Sequence, residues 1–161
     1  MISNYQAVMA APFGMLGVVM DGSAVVAIDF LPTDMSALSS TDPAVVRFCG
    51  QLQAYLHDPR AGVQAPIAVS GTPFQREVWQ AISRIPVGST LTYSELAECV
   101  GSGARAVANA CGANPVPLVI PCHRVVARQG LGGFMGGRNS GALAIKQWLL
   151  QHERRNPAAA G

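Results

Sequence analysis

The chain has 161 residues, of which half are hydrophobic and 12% are charged. This composition excludes an intrinsically disordered chain, because it supplies enough apolar side chains for a folded core. The length suits one domain or two small ones, and the formal net charge is only +2.

The charge is unevenly distributed along the chain. Residues 1–70 carry two arginines against five aspartates, whereas residues 71–161 carry nine basic residues against four glutamates. A basic portion on a nearly neutral protein is typical of a surface that binds a polyanion. Ordinary fluctuation would produce this imbalance about as often, so charge alone leaves both interpretations open.

The early part of the chain predicts mixed strand and helix. Two apolar runs joined at Asp21-Gly22 predict a β-hairpin. A helix is predicted to begin after the N-cap Asp42 and to end at Asp58. The stretch that follows, up to Gly71, reads as a linker with a short strand.

The apolar stretch at residues 7–20 is interrupted by a proline and two glycines and is too short to span a bilayer. No lysine or arginine precedes it, so it lacks the charged start of a signal peptide. The sequence therefore predicts a soluble, cytoplasmic protein.

Helices dominate the second part of the predicted structure. The first of them begins at Thr72, and its apolar spacing continues to Ile85, just before Pro86. The next begins at Thr92, which forms a capping box with Glu95.

A tight turn, Gly101-Ser102-Gly103, leads from that helix to a third one with the sequence ARAVANACG. Two short helices joined by a glycine turn form a helix-turn-helix candidate, although any αα-hairpin gives the same pattern and is commoner. Arg105 lies near the start of the second helix, and the small residues around it leave room for a phosphate backbone. Both features favour a nucleic-acid partner.

The four cysteines show no CxxC pair and no accompanying His-x-x-x-His, so a structural zinc site is not expected. Disulfides are not expected in a cytoplasmic protein. Three of the cysteines are predicted to be small buried hydrophobic side chains: Cys49, Cys99 and Cys111.

The fourth cysteine lies in the segment IPCHRVV, where Cys122 stands beside His123. A free thiol has a pKa near 8.5, so a nucleophilic cysteine needs a base or a positive neighbour. A histidine could act through a bridging water, with a carboxylate to orient it. The alternatives are half of a metal site, which the missing further ligands weaken, and chance proximity.

The last predicted helix, ALAIKQWLLQHE, carries Lys146 and Glu153 on one face, and Lys146 is the only lysine in the chain. These residues would complete a site with the Cys-His pair if that face is buried. The pattern alone slightly favours a solvated helix end. The glycine-rich stretch before this helix matches no nucleotide-binding pattern and reads as a flexible loop beside a site.

The segment from GTPFQREVW to LLQHE, with NPVPLVIPCHRVV and KQWLLQHE inside it, resembles the O6-alkylguanine-DNA alkyltransferases, which repair DNA in a single turnover. The resemblance implies an α+β fold of two small domains. Residues 1–69 would form an N-terminal ribonuclease-H-like α/β domain. Residues 70–156 would form a helical domain of winged helix-turn-helix type that carries the reactive cysteine, followed by a tail at 157–161. The implied protein is of the stand-alone bacterial type.

The resemblance also implies roles for single residues. Cys122 would be the alkyl acceptor, and His123, through a water, and Glu153 would form the relay that deprotonates it. Asn114 would brace the turn before the cysteine. Tyr93 would help to rotate the target nucleotide and would hydrogen-bond the flipped base.

Further implied roles concern the base and the DNA. Arg105 would fill the gap left in the base stack. The carbonyls of Cys122 and Val125 would accept from the guanine amino group, and Lys146 would tie the site together on the side of the leaving guanine. Four residues would contact the DNA backbone: Ser94, Ser102, Ala104 and Arg128.

This sequence departs from the family pattern in the glycine-rich loop. Phe134 and Met135 stand where family members often carry Tyr-Ser, so the usual serine donor to the base oxygen is missing there, and Ser140 would be the substitute. The loop is also a few residues longer than usual, which bears on tolerance of bulky adducts.

The function that the resemblance implies is direct repair of O6-alkylguanine, and of O4-alkylthymine, in double-stranded DNA bound through its minor groove. The expected protein is a monomer that needs no cofactor, no metal and no membrane. Two alternatives come from other classes. One is a DNA lesion sensor without transfer chemistry, and the other is a cysteine hydrolase, which only the Cys-His pair supports.

Overall fold

The structure is a computed structural model that describes residues 4–135 and 140–155, and it has a mixed α/β fold. The described part holds two small sheets and five α-helices. The strands are β1 (Ala7–Ala11), β2 (Gly14–Asp21), β3 (Ala24–Leu31), β4 (Leu91–Thr92) and β5 (Val125–Val126). The helices are α1 (Pro43–His57), α2 (Pro73–Ile82), α3 (Tyr93–Val100), α4 (Ala104–Gly112) and α5 (Ser140–Arg155).

The chain divides into two compact units. The first unit comprises the chain up to Val69 together with Pro115–Val119, and the second comprises Ser70–Asn114 and the chain from Ile120 onward. Pro115–Val119 thus packs with the first unit, although it lies inside the range 70–156 assigned to the second domain. The division into functional domains stays a prediction.

The first unit is built on an antiparallel sheet in the order β1-β2-β3. The predicted hairpin at Asp21-Gly22 is confirmed, and Gly22 has the positive φ of 60° that such a tight turn favours. Strand β1 was not predicted, because residues 7–20 read as one apolar stretch. The turn after β1 ends at Gly14, where an added Cβ would lie 2.9 Å from a backbone carbonyl oxygen.

Helix α1 packs against β1 and closes this unit. It begins and ends as predicted, because the Asp42 side chain accepts from the Ala44 N–H and the chain turns extended at Asp58. The core between helix and sheet is made of fully buried aliphatic and aromatic side chains: Leu16, Val18, Val25, Ile28, Val45, Phe48 and Leu52.

Helix α2 begins the second unit with a complete capping box between Thr72 and Gln75. It ends at Ile82 and not at Ile85, so the predicted end is wrong by three residues. The chain before a proline avoids the helical region, and the Ile85 N–H instead closes a turn on the Ile82 carbonyl. The carbonyl of Ile85 is thereby left outside the helix.

The predicted helix pair α3 and α4 is confirmed. Helix α3 begins with a capping box between Thr92 and Glu95, and it ends at Gly101, which has the left-handed φ of 66°. Helix α4 follows directly after Gly103 and packs against both α2 and α3. The indole Nε1 of Trp79 donates to the Ala110 carbonyl over 2.9 Å and fixes α4 on α2.

Strands β4 and β5 form a short parallel pair, so the segment after Cys122 lies beside the start of α3. Within residues 4–135 and 140–155, no helix combines the length and the hydropathy that a membrane crossing requires. Nor does that part of the chain contain a cluster of three potential metal ligands.

Candidate active site

Cys122 lies in a buried 3₁₀ turn, Cys122–Arg124, that leads into β5. The amide of Cys122 donates to the Ile120 carbonyl over 2.8 Å, and the amide of Arg124 donates to the Pro121 carbonyl over 3.0 Å. Cys122 is only 4% exposed, so the turn presents the thiol to the interior of the second unit.

The buried side chain of Asn114 holds this turn. Its Nδ2 donates to the Ile120 carbonyl over 2.8 Å, and it also hydrogen-bonds the side chain of Cys122. A single amide therefore fixes both the backbone before the cysteine and the sulfur itself.

His123, Glu153 and Arg124 form a buried chain of hydrogen bonds. The His123 Nε2 lies 2.7 Å from Oε2 of Glu153, which comes from the last turn of α5. Arg124 donates to the same carboxylate twice, from Nε to Oε1 over 2.8 Å and from Nη2 to Oε2 over 2.9 Å. Its Nη1 donates to the Ile85 carbonyl over 2.7 Å, so the turn that follows α2 is part of the network.

These contacts decide the charge of Glu153. Burial alone would raise its pKa, but the hydrogen bonds from His123 and Arg124 outweigh burial and hold the pKa well below the usual carboxyl range. Glu153 is therefore an anion that only accepts hydrogen bonds.

The ionised Glu153 fixes the tautomer of His123. Since Glu153 can only accept, the proton of a neutral imidazole must be on Nε2, which leaves a lone pair on Nδ1. Burial lowers the pKa of His123, and the imidazole is neutral at pH 7. Of the buried side-chain nitrogens and oxygens in the described chain, Nδ1 of His123 is the one without a hydrogen-bond partner.

The Cys122 thiol is protonated at neutral pH. Burial raises its pKa to about 11, although the hydrogen bond from Asn114 and the charge of Lys146 act in the opposite direction. On the order of 10⁻⁴ of such a thiol is ionised at pH 7. A reaction at this sulfur therefore needs a nearby base.

Lys146 is fully buried on α5, and its ammonium group binds three backbone carbonyls. Its Nζ donates to the carbonyls of Val125 (2.7 Å), Leu131 (2.6 Å) and Gly133 (2.8 Å). The ammonium thus joins α5 to β5 and to the loop that follows β5. Both Lys146 and Glu153 are buried, so this face of α5 turns inward, and the solvated helix end that the pattern alone slightly favoured is wrong.

Tyr93 lies at the first position of α3, half-buried beside this loop. Its hydroxyl donates to the Gly133 carbonyl over 3.4 Å, and Nζ of Lys146 lies 5.8 Å from its ring centroid. Gly132 has a φ of 74°, and a Cβ added there would lie 2.8 Å from the Tyr93 ring. Only glycine allows the loop to approach the ring this closely.

A small cavity of about 30 Å³, here called the Cys122 pocket, adjoins the thiol. Its walls come from α4 and from the loop before α5. The lining residues are Ala108, Cys111, Gly112, Cys122, Gly133, Phe134 and Met135. Met135 contacts the thiol, with its Sδ 3.9 Å from Sγ of Cys122.

The residues expected to contact DNA lie on an exposed surface of the second unit. Arg105 is the second residue of α4, and each residue from Gly101 to Ala106 is exposed. The other predicted backbone contacts are also exposed: Ser94, Ser102, Ala104 and Arg128.

Not every predicted role has a clear place. The Val125 carbonyl already accepts from Lys146, so only its second lone pair is available to a base. The side chain of Ser140 lies outside the described structure.

The other three cysteines differ in burial. Cys111 is buried as predicted, and Cys49 is half-buried. The prediction that Cys99 is buried is wrong, because Cys99 is exposed at the end of α3.

Arg124 is the functional residue that sequence reasoning missed. It directly follows the Cys-His pair in the sequence, and an arginine among apolar residues that form a buried turn needs a buried carboxylate as its partner. That requirement points to Glu153, the one buried glutamate of the described chain.

Comparison with known proteins identifies the family. The family model for the DNA-binding domain of 6-O-methylguanine DNA methyltransferases matches residues 73–155. A probable methylated-DNA–protein-cysteine methyltransferase of Acanthamoeba polyphaga mimivirus is 49% identical over 92 residues, which are 56% of this chain and 58% of that protein. This chain thus spans less than two thirds of the viral relative's length.

Two further relatives cover nearly the whole chain. A methylated-DNA–protein-cysteine methyltransferase of Saccharolobus islandicus is 32% identical over 143 residues, 89% of this chain and 91% of that protein. The crystal structure of Mycobacterium tuberculosis OGT in complex with DNA matches with a TM-score of 0.75 and 31% identity, covering 94% of each chain. The resemblance noted in the sequence is therefore confirmed, and the chain is a member of the 6-O-methylguanine DNA methyltransferase family.

Proposed function

We propose that this protein repairs alkylated DNA by transferring the alkyl group of O6-alkylguanine, and of O4-alkylthymine, irreversibly to Cys122. The observation that carries the proposal is the buried hydrogen bond between Glu153 and His123, which leaves the Nδ1 lone pair available on the residue that follows Cys122 in the chain. The relatives are named as methyltransferases that act between methylated DNA and a protein cysteine, and a neighbour at 31% identity was crystallised with DNA.

The proposed transfer begins with removal of the thiol proton. A water bridging Sγ and Nδ1 would pass the proton from Cys122 to His123, and Glu153 would stabilise the imidazolium that forms. The sulfur then attacks the alkyl carbon while the carbon–oxygen bond breaks, and the guanine oxygen leaves with the electron pair. The guanine takes up one proton, which balances the one that the thiol lost, and leaves as a neutral base.

The product explains why each protein molecule would act once. The new bond is a thioether, and water does not hydrolyse it, so the thiol is not regenerated.

With lesion DNA in excess, the amount of repaired guanine should rise until it equals the amount of protein and should then stop rising. Continued repair beyond that amount would contradict single-turnover transfer.

The target carbon is buried in a duplex, so the nucleotide has to be extruded at a cost of a few kcal/mol. We propose that α3 and α4 bind the minor groove as part of a winged helix-turn-helix-type domain, while Arg105 enters the stack in place of the lost base. The exposed small residues at the start of α4 suit close approach to a phosphate backbone. Tyr93 would guide the extruded base toward the Cys122 pocket.

The remaining parts of the proposal concern the whole protein. The first unit would have a ribonuclease-H-like α/β fold, and the protein would act as a cytoplasmic monomer without a cofactor. Its division into functional domains would follow the predicted boundary at residue 69.

Replacing Arg105 by alanine should slow repair of duplex DNA on the order of 10–100-fold, because the extruded state loses the side chain that fills the gap. Reaction with the free O6-methylguanine base should change little, since no nucleotide has to be extruded. Rates of thioether formation on the two substrates measure this split. Arg47→Ala, which removes an exposed arginine from the first unit, is the control, and equal losses on both substrates would assign Arg105 to folding.

Transfer to Cys122 should also fall in acid, at a pH below the ordinary histidine pKa of about 6.5. The pKa of His123 is lowered by burial, so Nδ1 is free at pH 7 and becomes protonated only at lower pH. Rates with the free O6-methylguanine base, measured from pH 5 to 8, isolate this step from DNA binding. A rate that rises as the pH falls from 8 to 5 would exclude His123 as the base.

The high pKa of Cys122 favours a second candidate function, a lesion-binding sensor that transfers nothing. The sensor would bind O6-methylguanine duplexes more tightly than unmodified ones and would release the lesion unchanged. Recovery of intact O6-methylguanine after prolonged incubation with excess protein would support the sensor.

A further inference from the structure

The Cys122 pocket is too small for a large group. The volume open to the centres of water-sized groups is about 30 Å³. One such group needs about 10–15 Å³ of that volume, so the pocket accommodates roughly two of them. A methyl group therefore fits beside the thiol, whereas a benzyl group or a purine base does not. Part of the wall has to move whenever a base enters.

The helical side of the wall is firmly held. Ala108, Cys111 and Gly112 lie on α4, which the Trp79 indole fixes through the Ala110 carbonyl. Movement of this side would disturb the packing of α4 against α2.

Met135 is the adaptable part of the wall. It lies outside the helices and strands, and its unbranched side chain has three rotatable bonds. Its Sδ lies 3.9 Å from Sγ of Cys122, in the space next to the reacting sulfur. Its backbone has a φ of 53°, a left-handed conformation that a non-glycine residue adopts rarely.

Given the proposed function, we propose that Met135 is a specificity-determining residue that covers the Cys122 thiol and restricts transfer to small alkyl groups. A reacting carbon must approach to within about 3–3.5 Å of the sulfur, which brings the alkyl group into contact with Met135. A methyl group displaces only the end of the side chain. A benzyl group requires the whole side chain to leave, and the methyl group is therefore preferred.

The test compares duplexes that carry O6-methylguanine with duplexes that carry O6-benzylguanine. Met135→Gly removes the side chain and suits the positive φ, so the variant is expected to fold. Met135→Leu keeps nearly the same bulk and removes the sulfur. The ratio of benzyl to methyl transfer rates should rise at least about tenfold in the glycine variant and stay within about threefold of the unaltered protein in the leucine variant.

Two results would overturn the role of Met135. One is an unchanged ratio in Met135→Gly, with both rates rising or falling together. The other is an equal rise in the glycine and leucine variants, since selection would then not depend on bulk. Methyl transfer by the unaltered protein distinguishes failure of the proposed function from failure of the role of Met135. If the unaltered protein transfers no methyl group, the proposed function is overturned. If methyl transfer is intact and the benzyl-to-methyl ratio does not change in Met135→Gly, only the role of Met135 is overturned.

Discussion

Replacing Glu153 by glutamine should slow alkyl transfer to Cys122 on the order of 10²–10⁴-fold. An amide has its own N–H donors, so it no longer forces the His123 proton onto Nε2. A proton on Nδ1 would remove the lone pair that accepts the cysteine proton, and the thiol with a pKa of about 11 would stay protonated. Single-turnover rates with O6-methylguanine duplexes measure the effect.

The same substitution should lower the free energy of unfolding of the second unit by about 3–5 kcal/mol, because it leaves the buried guanidinium of Arg124 without its counter-charge. Both tryptophans, Trp79 and Trp148, lie in this unit, so urea unfolding followed by their fluorescence reports on it. The control is Glu77→Gln, the same chemical change on the exposed side of α2.

The stability that Glu153 contributes should also depend on pH. The pKa of Glu153 is lowered in the folded state, so the stability it contributes is present above about pH 4.5 and is lost as the pH falls below that value. Glu153→Gln should therefore be less sensitive to acid than the unaltered protein. Equal stability and equal acid sensitivity would mean that the ion pair does not hold the turn.

Replacing Lys146 by methionine should lower the free energy of unfolding by about 2–5 kcal/mol. Methionine has nearly the length of lysine but no donors, so three carbonyls lose their partner and the loop from Leu131 to Gly133 loses its tie to α5. Urea unfolding measures the stability, and protease sensitivity of the loop measures the local release.

A suitable control for Lys146 lies on the same helix. Arg154→Met also replaces a cation by methionine, but at an exposed position, and should change stability by no more than about 0.5 kcal/mol. If the two variants proved equally stable and equally resistant to protease in the loop, the tie formed by Lys146 would have no energetic role.

Local chemistry made most of the elements predictable from the sequence. The caps at Asp42, Thr72 and Thr92 mark helix starts because each side chain accepts from the first turn of its own helix. Strand β1 was not predicted, because the turn between β1 and β2 contains no Asn-Gly or Asp-Gly signal. The end of α2 was placed too late, because hydrophobic spacing continues past the residue where the proline stops the helix.

The residues of the candidate site were easier to predict from the sequence than the contacts between them. The Cys-His pair and the face of α5 made Cys122, His123, Lys146 and Glu153 candidates, and only the resemblance to the alkyltransferases assigned them roles. That Arg124 binds the same carboxylate as His123 depends on where α5 lies relative to the turn, which spacing along one chain does not encode. The contact between Met135 and the thiol likewise depends on the path of a loop.

The central claim is that Cys122 accepts the alkyl group. The most direct measurement is peptide mapping by mass spectrometry after reaction with a duplex that carries O6-methylguanine, with Cys122→Ala and Cys111→Ala as paired variants. The account predicts one methyl group per protein molecule, on the peptide that contains Cys122, retained in Cys111→Ala and lost in Cys122→Ala. A methyl group on another residue, or a repaired duplex with unmodified Cys122, would contradict it.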